Sequence, residues 1–527
     1  MKNKIKIALL ITGTILFNLI FWQENLGLNA LIFTVFIIGS ALYIFPKFIK
    51  SKNALIVALG TLVSAITITY HASLLVIFVW IFSIVLLQPF IHYKKLQTIF
   101  FSTLSAITSF VTVFGLLGQN TEKTTSKRNS PFKYKNIFKY LKLTLLPIFV
   151  VYIFYWIFKF ANPIFDELSG TFFVKINNWL TNIFKEVSFL QIIFTFWGFM
   201  IMAWYLYKNK KDHVVHDEEK YSENIIRKRK KVFVNKFMYG KRGLKQLLKN
   251  EFRIGIMMII LVNALLLLIN IIDISTIWFN FNYTGNTDLK QFVHEGTYLL
   301  ILSILLSIGI MIFFFRKNLN FYRNKKKLQI LSYIWIAQNI VLLISVIIRN
   351  LHYIEYFGLA YKRIGVFFFL IMVVYGLITL YIKIKDVKST FWLFKINTWA
   401  VYIGFVLFAI PDWDIIIAKH NLKHELKDNM ETSFLLSFDE KAFPLIDQRK
   451  DILNQSKNLN TYRYFYDTYE NIYDIKVKKF MKEYKETSFL SWNYADAKAY
   501  EYYKNNGYNM DIDENKTSLD DFDIFQD

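Results

Sequence analysis

"LLVIFVWIFSIVLLQPF" (74–90) contains no charged residue. As a helix it rises about 26 Å, close to the roughly 30 Å hydrocarbon core of a bilayer. It therefore reads as a membrane span. Lys94 and Lys95 follow it directly, a basic mark of the cytoplasmic end. Similar apolar runs lie at about 7–22, 28–46, 54–70, 97–118, 143–160, 188–207, 252–272, 297–315, 329–348, 364–382 and 391–410. The expected fold is all-α: a polytopic integral membrane helical bundle of about 11–12 spans, followed by a mostly helical polar tail.

The composition agrees. The 527 residues are 54% hydrophobic and 18% aromatic, with mean hydropathy +0.32. A net charge of +24 would suggest nucleic acid in a soluble protein. Here the basic residues sit in short loops between apolar runs, as the positive-inside rule requires, so no nucleic-acid partner is expected. The opening "MKNKIKIALLITGTILFNLIFW" (1–22) has no small-residue cleavage site after it and reads as a first span rather than a signal peptide.

The charge marks divide the chain into N-terminal hydrophobic helices (1–118), a basic cytoplasmic loop (119–142), a core membrane domain (143–411, with a second basic cytoplasmic loop at 208–251) and a polar helical tail (412–527). They conflict once. If all five N-terminal runs cross, the 119–142 loop falls on the wrong side. Either one of the five does not cross or the N-terminus lies outside; the Ser- and Thr-rich run 97–118 is the first choice for a re-entrant or surface-lying segment. From 119 onward the alternation puts 161–187, 273–296, 349–363 and the tail outside. In the tail, "SFDE" (437–440) has a helix-capping pattern and "YKNNG" (503–507) a helix stop.

Much chemistry is excluded by motif. With no cysteine there is no disulfide, thiolate nucleophile or Cys-ligated metal. "YGKRGLK" (239–245) lacks phosphate-loop spacing, and neither a dinucleotide fingerprint, a Gly-x-Ser-x-Gly elbow nor His-Glu-x-x-His is present. No cofactor is expected. What remains is a set of polar residues at the outer ends of spans. The candidates for substrate binding are His294, Glu295, Glu355, Arg363, Asp412 and Asn421. His352, three residues before Glu355, shares its face if that turn is helical. His420 and His424 also fall on this side. His with carboxylate is a donor set suited to a divalent metal, set against the plainer role of interfacial anchors. Arg349, Lys362 and Arg363 run against the positive-inside trend. Their expected partners are Glu355, Asp412 or Asp414, with Arg363 the first choice for Asp412. Asn263, Asn270, Gln338, Asn339 and Asn397 fall within spans, where amides serve as interhelix hydrogen bonds.

Several stretches occur together in order: "ILFNLIFWQENLGLN" (15–29), "FANPIFDEL" (160–168), "FVHEG" (292–296), "YIEYFGLAYKRIGV" (353–366), "PDWDIIIAKHNL" (411–422), "FLLSFDEKAFPLID" (434–447) and "SFLSWNYADAKAY" (488–500). The chain thereby resembles an uncharacterised family of bacterial polytopic membrane proteins, domain of unknown function 4173. The resemblance implies a multi-pass protein of the bacterial cytoplasmic (inner) membrane and carries no activity with it. Where that family has Tyr-Asn-Ile, this chain has "HNL" (420–422), so His420 is not an expected ligand and no metal site is assigned. The favoured function is a sensor- or scaffold-type membrane module. Its partners would be the lipid bilayer and an envelope protein contacted by the tail. The alternatives are a transporter of a small or lipidic substrate and an integral-membrane enzyme with an outer-face polar site.

Overall fold

The computed structural model describes residues 2–113, 151, 154–156, 158–159, 162–184, 188–209, 212–226, 241–279, 289–315, 318–423, 432–449 and 469–508. The basic loop 119–142, "RKRKK" (227–231), His424 and most of 143–160 lie outside these. The described residues are helical, without a β-strand, and seven helices are long and apolar enough to cross a membrane. Four shorter apolar helices accompany them, at Leu28–Ile44, Ile99–Val111, Leu190–Leu206 and Leu300–Phe314. The protein is an all-α polytopic membrane bundle. Large side chains such as Leu19, Leu74, Phe78, Leu306 and Ile371 stand exposed on helix faces, as lipid contact requires.

The chain forms two compact units, Met1–Lys220 with Lys482–Lys498, and Tyr221–Met481 with Ala499–Asp527. The first unit contains α1 (Lys2–Phe21), α2 (Leu28–Ile44), α3 (Lys52–Tyr70), α4 (Leu74–His92), α5 (Ile99–Val111), α6 (Pro163–Phe184), α7 (Phe189–Leu206) and α8 (His213–Glu219). Polar side chains start several of these. Ser51 caps α3 by accepting from the Ala54 N–H, and Thr98 caps α5 by accepting from Phe101. Inside the helices, Thr61, Ser64 and Ser83 return their hydroxyls to the carbonyls of Val57, Gly60 and Val79. Small polar residues can then be buried between helices without an unmet donor.

Contacts define the two ends of this unit. At one end Glu24 accepts from the hydroxyls of Ser488 (2.6 Å) and Ser491 (2.5 Å), and Tyr70 stacks on Tyr494. Gly27 lies against that tail segment so closely that a Cβ would stand 2.5 Å from the Ser491 and Trp492 carbonyls. At the other end Lys6 donates to the Leu206 carbonyl and lies over Phe45, while His92 bonds the Tyr205 carbonyl. This second end carries Lys47, Lys50, Lys94, Lys95 and Lys208.

Helix α5 finds most of its partners at the basic end, while Phe110 in its last turn stacks on Trp197 in the middle of α7. Thr98 and Gln97 donate their N–H groups to Glu218 at 2.9 Å, Ser105 donates to Asp212, Trp204 reaches the Ala106 carbonyl, and Asn209 donates to Thr112. Its start, middle and finish all meet residues 204–218. Its 13 residues rise about 20 Å; the end of the run 97–118, from 114 on, lies outside the described residues.

The second unit holds α9 (Lys241–Asp273), α10 (Leu289–Phe314), α11 (Lys325–Phe357), α12 (Tyr361–Lys385), α13 (Thr390–Phe408), α14 (Trp413–Lys423), α15 (Thr432–Leu436) and α16 (Phe443–Asp447), with most of the tail helix α17 (Tyr469–Glu486). Helices α9 and α11 run parallel. Asn263 donates to the Leu331 carbonyl and Asn270 to the Gln338 carbonyl, both at 3.1 Å, and Gln338 returns a bond to Asn263. Each bond is displaced from the next by seven residues on both helices, the repeat of left-handed supercoiled packing. Asn397 likewise donates to Thr379 across α13 and α12 (2.9 Å). Trp335, Leu342, Leu377 and Leu380 fill the core among these spans. A separate apolar cluster of Ile417, Phe438, Phe443, Tyr473, Val477 and Tyr503 joins α14 to the rest of the tail and reaches Ile364 on α12.

Candidate functional site

The polar residues at the span–tail junction come together around one turn. Helix α11 ends at Gly358, whose φ of +77° is a conformation that favours glycine. The turn 358–360 that follows leads into α12. Arg363, one turn into α12, points back and donates to the carbonyls of Phe357 (2.8 Å) and Gly358, with its guanidinium 4.3 Å from the Tyr353 ring centre. It satisfies carbonyls that the end of α11 leaves without partners.

Asn421 clamps the same turn from α14. Its amide donates to the Leu359 carbonyl at 2.9 Å and accepts from the Leu359 N–H at 2.6 Å. An asparagine amide matches one backbone N–H and C=O at once, which an aspartate cannot. Asn421→Ala is therefore expected to cost about 1–3 kcal/mol. Asn421→Asp, which sets a carboxylate against a carbonyl, should cost at least as much. Thermal unfolding of the purified protein measures both; a parental midpoint for both would show that the clamp does not matter.

Asp412 and Asp414 open α14. Asp412 stands just before its first residue, with Oδ1 3.5 Å from the Ile415 N–H. Asp414 accepts from the Tyr361 hydroxyl. Between them lies Lys441 of the tail, its side chain 2% exposed, with Nζ 3.1 Å from Asp439, 3.5 Å from Asp414 and 3.8 Å from Asp412. Burial alone would push the Lys441 ammonium down, but Asp439, Asp412 and Asp414 outweigh it and hold its pKa above the ordinary lysine value. For Asp414, burial comes first and pushes its carboxyl above the usual range. Lys441 and the Tyr361 hydrogen bond oppose that shift, while Asp439 and Asp412 add to it.

Of the residues expected at the site, Arg363, Asp412 and Asn421 thus meet at this joint. Glu355 does not: it is exposed and faces His352 at 3.7 Å, the pairing their spacing suggested. His294 and Glu295 fall in the first turns of α10, and their side chains lie outside the described residues. Two pairings differ from expectation. The cation set at Asp412 is Lys441, not Arg363, whose fork is turned to the α11 carbonyls. Arg349 pairs not with Glu355, Asp412 or Asp414 but with Asp273 at the end of α9, 2.6 Å away and buried. A π-helical turn, Ile274–Trp278, follows Asp273, and Trp278 donates to Ser345 at 3.0 Å. Among the described residues no group of three or more His, Cys, Asp or Glu could hold a metal.

Lys441 and Asp273 were both missed from the sequence. Lys441 follows two acidic residues in "SFDEKAFP" (437–444), and only its apolar flank hinted at burial. Asp273 closes a long apolar run, and a carboxylate at that depth demands a cation on a neighbouring helix.

No curated protein and no solved structure matches the chain. The family expected from the short motifs, domain of unknown function 4173, is replaced by a different one that is also uncharacterised. Residues 11–448 match the family described as domain of unknown function DUF4153, most of the chain, and the protein belongs to that family.

Proposed function

We propose that this integral membrane protein is a sensor- or scaffold-type module whose C-terminal tail contacts a partner in the cell envelope. One observation carries the reading: Arg363 and Asn421 direct their hydrogen bonds to the backbone of the 357–359 turn and Asp412 faces Lys441, so the junction is a joint between spans and tail. A catalytic or transport site would hold polar groups open for substrate. The tail is fastened to the spans by the hydrogen bonds of Asn421 to Leu359 and of Tyr361 to Asp414 and by apolar contact with Ile364, as coupling between a recognition element and the membrane requires.

The same reading places the protein in a bacterial cytoplasmic membrane with the tail outside. In the first unit, the end that receives residues 488–494 is opposite the end rich in lysine. The partners of α5 at the basic end support the reading in which 97–118 does not cross, under which the charge marks agree.

The lack of cysteine makes the threading directly testable. Ser437→Cys should react with a membrane-impermeant maleimide in spheroplasts, and Lys95→Cys only after permeabilisation. Equal reactivity of both sinks the topology. The partner is tested by a photoreactive amino acid at Phe489, which is 72% exposed. A discrete protein adduct in cells is expected; adducts with lipid alone would refute the reading.

A further inference from the structure

The first unit contains a cavity of about 700 Å³ at its basic end, within the range of small-molecule sites. Four lysines line it, Lys47, Lys94, Lys95 and Lys208, against two carboxylates, Asp212 and Glu219. With the histidines neutral, that leaves a surplus of two positive charges. The carboxylates are already engaged. Glu219 pairs with Lys95 at 3.0 Å, and Asp212 accepts from the Ser105 hydroxyl and from the Val214 N–H at 3.0 Å. Among the described residues no carboxylate stands within ion-pair distance of Lys47, Lys94 or Lys208.

Phe45 and Phe48 supply an apolar wall. His92, 7% exposed, forms part of it. Its Nε2 faces the Tyr205 carbonyl at 2.9 Å and so must carry the proton. Nδ1 is then an acceptor, buried and without a partner. The positive-inside rule accounts for lysines near helix ends. It does not account for their convergence on a concavity that also has an apolar wall.

We propose that this cavity binds a phosphate-bearing ligand, its phosphate among Lys47, Lys94 and Lys208 and the rest of the molecule against Phe45 and Phe48. A phosphate monoester carries a charge of about −1.5 to −2 at neutral pH, which matches the surplus; a single carboxylate would neutralise half of it. The ligand is either the headgroup of an anionic lipid entering from the bilayer or a soluble phosphorylated molecule. The proposal is independent of the tail's role.

The test uses the full-length protein in detergent, with binding read by intrinsic tryptophan fluorescence. The probes are dioctanoyl phosphatidic acid, inorganic phosphate and, as phosphate-free control, dioctanoylglycerol. Saturable binding of phosphatidic acid, not displaced by inorganic phosphate, identifies a lipid headgroup; binding of inorganic phosphate with competition between the two identifies a soluble source. In either case each lysine removed should weaken binding about fivefold. The Lys47→Gln, Lys94→Gln, Lys208→Gln triple variant should then lose about a hundredfold. Glu219→Gln should tighten binding several-fold, a gain that no misfolded variant would give. All four side chains are exposed, so the variants should keep the parental melting temperature. Saturable binding of neither phosphate probe, control binding equal to that of phosphatidic acid, or unchanged affinity in the triple variant overturns the proposal.

Discussion

Lys441→Met is expected to loosen the rest of the tail from α14, where the tail leaves the spans, at a cost of about 3–5 kcal/mol, the penalty for breaking a buried ion pair from one side. The lysine serves two buried aspartates and a third exposed one. Its raised pKa means that its contribution is fully present below the ordinary lysine value of about 10.4 and is lost only as the pH climbs through the higher folded value. Asp414 works in the opposite sense. Its burial costs stability once it ionises, and Lys441 offsets that cost. Methionine fills the space and removes the offset. The expected result is a lower thermal midpoint and faster tryptic cleavage of the tail, with membrane insertion intact. The combination Lys441→Met, Asp412→Asn, Asp414→Asn removes the stranded charges and should recover much of the loss. If Lys441→Met alone matches the parent in both assays, the joint is not held by this cluster.

Breaking the Asp273–Arg349 pair should cost a similar amount, about 3–5 kcal/mol for either partner alone. Both groups are buried near the ends of adjacent spans, so Asp273→Leu strands a guanidinium and Arg349→Met strands a carboxylate. Neither can reach bulk water without disturbing the packing of α9 on α11. The Asp273→Leu, Arg349→Met double variant strands nothing, and it should be more stable than either single variant. A double-mutant cycle on unfolding in detergent reads the coupling directly. Additive losses across the cycle would mean that the two residues act separately.

The class of fold was legible because a bilayer demands long uninterrupted apolar helices, and runs such as 74–90 leave little room for another reading. Asn263, Asn270 and Gln338 were also readable as interhelix contacts, since an amide in a span has few other partners. The site was legible only in part. Asp412, Arg363 and Asn421 stood out as polar residues at a span end; the structure brings Arg363 and Asn421 to one turn and sets Asp412 beside Lys441. Their partners were not readable. Lys441 is 29 residues beyond Asp412 and Asp273 is 76 before Arg349, and periodicity along one helix says nothing about which neighbour will face it. Charge type narrowed the choice for Arg349 without fixing it: three carboxylates at outer span ends, Glu355, Asp412 and Asp414, were its expected partners, and a fourth at the end of α9 holds it.

The seven-residue spacing of amide bonds between α9 and α11 has a mechanical consequence. Sliding one helix along the other by a single turn would break Asn263–Leu331, Asn270–Gln338 and Asp273–Arg349 together. The pair therefore resists piston strokes and keeps its register, whatever load the two spans carry between the membrane faces.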